Sequence, residues 1–366
     1  THINWVQIDK ERRELLALPT RRPDQEARLA QLDQQWNAAE QAFKNFLQQI
    51  QTTLAATRPD KVEELREAEG LMSDLDDLGH GTVAIYTVVG EKRLDLLLIT
   101  PHIRRAYPIA ASEAEINRAV WTFRQALIHP HQDPRPIAQQ FYHWLIQPLE
   151  QDLADSHAHT LLWSLDGTLR YLPVAALHDG QHYLAERYAQ LVITPASHAR
   201  LKETPKTDWQ GLGLGVTKEW PGFSELPAAH AELTALIRDP PTSPGLLPGK
   251  LLLDENFTLD ALLRELQHRR PLVHIASHFR LTPGNDHQSY LLLGNGDQLT
   301  LDRVQTETNL FSGVDLLTLS ACETAVSDTA NTRINPGAEI DSFAVLAQRK
   351  GAKAVLATLW PVADTS

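Results

Sequence analysis

At 366 residues the chain is long enough for about two domains. Its 42% hydrophobic and 22% charged residues are the balance of a globular protein that buries a core. A formal net charge of −12 argues against direct nucleic-acid binding, which normally needs a basic face. The single cysteine, Cys322, excludes an intrachain disulfide framework and a cysteine-rich zinc site.

Apolar runs such as Leu96-Leu97-Leu98-Ile99 fall far short of the roughly 18 residues needed to span a bilayer, so no membrane association is expected. No basic-then-apolar leader is visible, although the chain opens on Thr1 rather than Met. Together with the cysteine usage this points to a reducing, cytoplasmic setting.

In chain order, residues 1–75 read as helix. Within 22–56, Leu29, Leu32, Trp36, Ala39, Phe43, Phe46, Leu47 and Ile50 recur at spacings of three and four among Gln, Glu and Lys, which is a one-sided stripe. Pro23 sits where a first helical turn tolerates it. From Gly81 the texture changes to a hairpin, with strands at 82–89 and 93–100 joined by Gly90-Glu91-Lys92. Helices follow at 112–127 and 136–154, then strands at 159–165 and 190–194. Asp166-Gly167 reads as a turn rather than a catalytic acid.

A second module starts near Gly211. Strands are expected at 211–216, 272–276, 290–293, 316–319 and 354–358, with helices at 227–238, 259–268 and 338–350. Apolar strands alternating with helices indicate a mostly parallel sheet covered on both faces. Residues 239–250, with four prolines and two glycines, read as an exposed loop. Gly211-Leu212-Gly213-Leu214-Gly215 lacks the sixth-position glycine of a dinucleotide loop, where Val216 stands, and reads as a glycine-rich strand. The chain stops at Ser366, just after a strand, where a doubly wound fold would normally continue, and a truncated or disordered end is expected there.

Two strand ends carry the chemistry. One apolar strand finishes on His278, and another, Leu316-Leu317-Thr318-Leu319-Ser320-Ala321, runs into Cys322. Sites in open α/β sheets form outside the carboxyl ends of strands. Adjacent parallel strands would set imidazole and thiol side by side, as base and nucleophile, with backbone N–H groups facing a developing oxyanion. Taken singly, a core histidine and a buried thiol are the ordinary readings. Taken together, at one end of two buried strands, they favour catalysis. His274 and His278 stand four apart like a metal pair, but no second ligand cluster accompanies them, and no metal or other cofactor is expected.

Five motifs carry a resemblance: His-Ile-Ala-Ser-His (274–278), Ser-Tyr-Leu-Leu-Leu-Gly (289–294), Leu-Ser-Ala-Cys-Glu-Thr-Ala (319–325), Gly-Ala-Glu-Ile (337–340) and the stretch from Gly351 to Asp364. Residues 80–366 resemble the CHAT domain, a caspase-like protease of the separase group often joined to tetratricopeptide repeats. Leu165 to Leu177 resembles its upstream half. The resemblance implies an α/β caspase-like fold: a helical lead-in at 1–79, an inactive caspase-like module at 80–205, and an active one at 211–366. It places the catalytic pair on His278 and Cys322 and the oxyanion donors on the backbone N–H groups of Phe279 and Cys322. Many relatives have Gly where Phe279 stands, so Phe279 is expected to narrow the space beside the histidine. By likeness to separase, Asp364 would receive a basic side chain before the cut, with Glu339 and Asp286 as weaker alternatives. The expected function is a cysteine endopeptidase acting on a protein substrate. A regulatory protein or repeat domain would control it, in a prokaryotic defence or cell-death setting. A non-catalytic caspase-like scaffold is the alternative, and a thiol acyltransferase using the same pair is a third.

Overall fold

The structure, a computed structural model, describes residues 3–79, 81–129, 131–194, 197, 200–204, 207–280, 287–321 and 343–357. The chain divides into two compact units, 1–195 and 196–366.

The first unit opens with four helices: α1 (Trp5–Leu16), α2 (Pro23–Leu54), α3 (Pro59–Glu67) and α4 (Leu71–Leu78). The stripe of α2 buries Leu29, Leu32, Phe43, Leu47 and Ile50, and Pro23 occupies its first turn as expected. A five-stranded sheet follows, in the order β3-β2-β1-β4-β5, built from β1 (Thr82–Val89), β2 (Leu94–Ile99), β3 (Arg104–Ile109), β4 (Thr160–Ser164) and β5 (Ala189–Val192). β1, β2 and β3 form an antiparallel meander, whereas β4 and β5 continue the sheet in parallel.

β3 is an addition to the sequence reading. It lies on an edge, where Pro108 is tolerated, and its half-buried residues lack an apolar run. A capping box of Ser112 and Glu115 starts α5 (Glu113–Ile128). The single helix expected at 136–154 is broken. α6 (Arg135–Leu145) gives way to a 3-10 turn at Gln147–Leu149 before α7 (Glu150–Asp155). Pro148 explains the break: it has no N–H to donate, and its ring crowds the preceding turn. A last short helix, α8 (Leu184–Arg187), precedes β5.

In the second unit a six-stranded, all-parallel sheet runs β14-β13-β9-β6-β8-β7 among the described residues. Its strands are β6 (Gly211–Gly215), β7 (Ile237–Arg238), β8 (Leu247–Leu253), β9 (Leu272–Ser277), β13 (Leu316–Ala321) and β14 (Ala354–Ala357). A separate antiparallel sheet holds β10 (Phe279–Arg280), β11 (Tyr290–Leu292) and β12 (Gln298–Thr300). Two expectations change here. Residues 290–293 belong to this small sheet rather than the main one. The loop expected at 239–250 ends early, because Leu247 already starts β8, where it pairs with Ile237.

The helices of the second unit with described bounds are α9 (Pro227–Leu236), α10 (Leu259–Gln267), α11 (Leu301–Thr306) and α12 (Phe343–Arg349). The glycine-rich segment is a buried strand, as expected, and the reason is close approach. A Cβ on Gly213 would stand 2.6 Å from Leu251 and 3.2 Å from Leu233 of α9. Alternation along β9 sends Val273 and Ile275 into the main core and Ala276 toward α9. Among the described residues no helix is long and apolar enough to cross a membrane.

Candidate active site

Parallel pairing of β9 with β13 runs in register from Leu272↔Leu316 to Ser277↔Ala321. His278 is the next residue after β9, and Cys322 is the next residue in sequence after β13. Cys322 lies outside the described residues, as do Asp286, Glu339 and Asp364. Of the sequence-derived site, His278 and Phe279 are among the described residues.

His278 is 3% exposed. Its Nε2 lies 2.9 Å from the Ser224 carbonyl oxygen. A carbonyl only accepts, so Nε2 carries the proton, and a neutral ring then keeps its lone pair on Nδ1. The Phe223 ring packs beside the imidazole, with centroids 4.8 Å apart and planes tilted by 35°. The loop before α9 thus fixes both the tautomer and the plane of the ring. Behind it, the Ser277 hydroxyl donates to the Leu292 carbonyl at 2.6 Å, and the Leu292 N–H donates to the His278 carbonyl at 2.9 Å. These bonds tie the end of β9 to the small sheet.

Phe279 corrects one expectation. Its side chain is buried and packs on Phe343 of α12, with ring centroids 5.7 Å apart. It enters the core and does not narrow the space beside the histidine, because alternation past His278 turns it to the opposite face. In the antiparallel ladder of β10 and β11, Phe279 faces Leu291 and Arg280 faces Tyr290. With His278 bonded to Leu292, the alternation of hydrogen-bonded and non-bonded pairs turns the Phe279 N–H away from β11.

A second polar network lies four residues earlier, on β9 itself. His274 is paired with Thr318 across β9 and β13, and its Nδ1 is hydrogen-bonded to the Thr318 hydroxyl. Its Nε2 lies 2.7 Å from Glu232 on α9, and the Ser320 hydroxyl donates to the other Glu232 oxygen at 3.3 Å. The His274 hydrogen bond holds the Glu232 carboxyl below the usual range, against the upward push of burial. Both nitrogens of His274 are thus engaged by side chains of the fold, which argues against a metal pair with His278. Among the described residues no group of three His, Cys, Asp or Glu side chains could hold a metal ion.

Sequence reasoning did not find Ser224, Phe223 or Glu232. A carbonyl acceptor leaves no mark on residue type, since every residue carries one. Glu232 and His274 stand 42 residues apart, and only the polar His274 within an apolar strand hints at a partner.

In the first unit, Asp166 follows β4 at the same carboxyl edge of its sheet, but it is consumed by the fold. It is fully buried and ion-paired with Arg58, and it accepts the Val89 N–H at 2.7 Å. Burial pushes its carboxyl up, but the Lys61 charge, the Arg58 hydrogen bond and the Val89 N–H outweigh this and hold it below the usual range. It is a structural carboxylate, consistent with the turn read from the sequence.

No curated protein matches the chain. The family model of the CHAT domain matches residues 135–366. The match begins at α6, so it takes in β4, β5 and the whole second unit but not β1 to β3. It spans well over half of the chain, and the protein belongs to the CHAT domain family, a family of caspase-like proteases.

Proposed function

We propose that the protein is a cysteine endopeptidase in which His278 and Cys322 form a dyad and the substrate is a protein partner. The observation that carries this is the β9–β13 register, which ends at Ser277↔Ala321 and makes His278 and Cys322 the next residue on each strand. The locked tautomer of His278 supports it, because the ring offers Nδ1 as the base. The Cys322 thiol gives its proton to Nδ1, and the thiolate attacks the scissile carbonyl carbon. Negative charge forms on the carbonyl oxygen, where the N–H groups of Phe279 and Cys322 stabilise it. The amine leaves with the proton from Nδ1. Water, deprotonated by the same nitrogen, then hydrolyses the thioester.

The first unit suits an inactive caspase-like module, since the acid at its sheet edge is occupied by Arg58. We assign the helical lead-in to 1–79 and the two modules to 80–205 and 211–366. Asp364 is our candidate to receive a basic side chain before the cut, with Glu339 and Asp286 behind it. Control by a regulatory protein or repeat region accords with the family.

A peptide carrying a thiol-directed electrophile tests the reading. We expect covalent labelling of the wild type at Cys322, and loss of peptidase activity in both Cys322→Ala and His278→Ala. Wild-type turnover in either variant refutes the dyad. A wild type that is neither labelled nor active leaves the scaffold reading in its place.

A further inference from the structure

Two residues beyond His278, Arg280 lies half-buried on β10. Residues i and i+2 of an extended segment share a face, so Arg280 stands on the His278 side, while Phe279 between them enters the core. The guanidinium lies over the Phe223 ring at 4.8 Å and near the Tyr290 ring at 5.8 Å. The same Phe223 ring packs on the His278 imidazole at 4.8 Å. Histidine and arginine are thus held on one aromatic side chain. A guanidinium stacked by its face keeps its N–H edges directed outward, in the plane that receives a carboxylate through two parallel bonds.

Among the described residues Arg280 has no carboxylate within ion-pair distance and donates no hydrogen bond. The acids nearest in sequence on the loop that carries Phe223, Glu219 and Glu225, are exposed and do not pair with it. Two other arginines of the second unit do have carboxylate partners: Arg270 pairs with Glu265 at 2.7 Å and Arg303 with Glu307 at 2.6 Å. A half-buried cation over an aromatic ring beside the candidate base, with no counter-charge among the described residues, has the form of a binding group.

We propose that Arg280 anchors a carboxylate of the substrate, so that the protein prefers chains with Asp or Glu close to the scissile bond. This rests on the peptidase reading above and deepens it. The two ring contacts keep imidazole and guanidinium within about 10 Å, and an extended peptide advances about 3.3 Å per residue, so the acid falls within about three residues of the cut.

The test is a peptide library cleaved by the full chain, with Glu and Gln exchanged at each of the three positions on either side of the bond. The wild type should favour Glu over Gln at one position by about tenfold or more in kcat/KM, the scale of a charge-assisted hydrogen bond. Arg280→Gln should bring that ratio to about one, and Arg280→Glu should reverse it in favour of Lys, as a paired charge requires. Both peptides are read on one preparation, so the fraction of folded protein cancels from the ratio. Cleavage without an acid preference, or a preference that survives Arg280→Gln, overturns this proposal alone. A wild type that cleaves no member of the library overturns the peptidase reading, and this proposal with it.

Discussion

Replacing Asp166 by Asn tests whether the acid at the edge of the first sheet is structural. The carboxylate is fully buried and meets Arg58, while Lys61, 1% exposed, adds its charge nearby and pairs with Glu64 at 3.0 Å. Asn keeps the shape and can still accept the Val89 N–H, but it leaves Arg58 without its counter-charge. Breaking a buried pair from one side costs about 3–5 kcal/mol. Arg58 keeps 27% of its side chain exposed, which draws the estimate to about 3 kcal/mol. For a unit of this size that is roughly 6–12 °C in Tm. Because the folded carboxyl is held below its ordinary value, its contribution is complete above about pH 4 and is lost as pH falls through the lowered value. The gap between wild type and variant should therefore close in acid. Hydrogen exchange of the β1 and β4 amides under increasing urea reads the first unit by itself. The rate of Cys322 labelling, measured where the variant is folded, should not change. A stability loss under about 1 kcal/mol would refute the buried-pair argument, and loss of labelling in the folded variant would make Asp166 part of the chemistry.

Glu232→Gln should remove an acid-dependent share of stability. The carboxyl is held low by His274, so its contribution is full above about pH 4.5 and fades below it, and the Tm difference from wild type should shrink between neutral and acid pH. Gly249→Ala should destabilise the second unit more than Gly213→Ala in urea denaturation. A Cβ at 249 would stand 2.1 Å from the Gly211 carbonyl oxygen of the paired strand, whereas at 213 it meets the movable end of Leu251 at 2.6 Å. We expect the latter to fall within the about 1–3 kcal/mol of ordinary overpacking.

Much of the frame was legible in the residues because period and burial coincide. The stripe of α2, the hairpin around Gly90 and the apolar strands that precede His278 and Cys322 each announce themselves by spacing. What escaped was set by tertiary context. β3 is half-buried on an edge, and its Pro108 masks it. β8 hides behind prolines because its first residues need only a two-residue partner. The small sheet took Tyr290 from the main one through hydrogen bonds at the end of β9, which no local pattern encodes. At the site, residue type pointed to His278, but the Ser224 carbonyl that sets its tautomer and the ring that links it to Arg280 come from a loop more than fifty positions upstream.

The central claim is that His278 activates Cys322, and the pH dependence of Cys322 alkylation by iodoacetamide tests it most directly. Cys322 is the only cysteine, so the adduct reports on it alone. In the wild type the rate should rise with an apparent pKa below the roughly 8.5 of a free thiol, and His278→Gln should return the profile to about 8.5. Superimposable profiles for the two proteins would contradict the dyad.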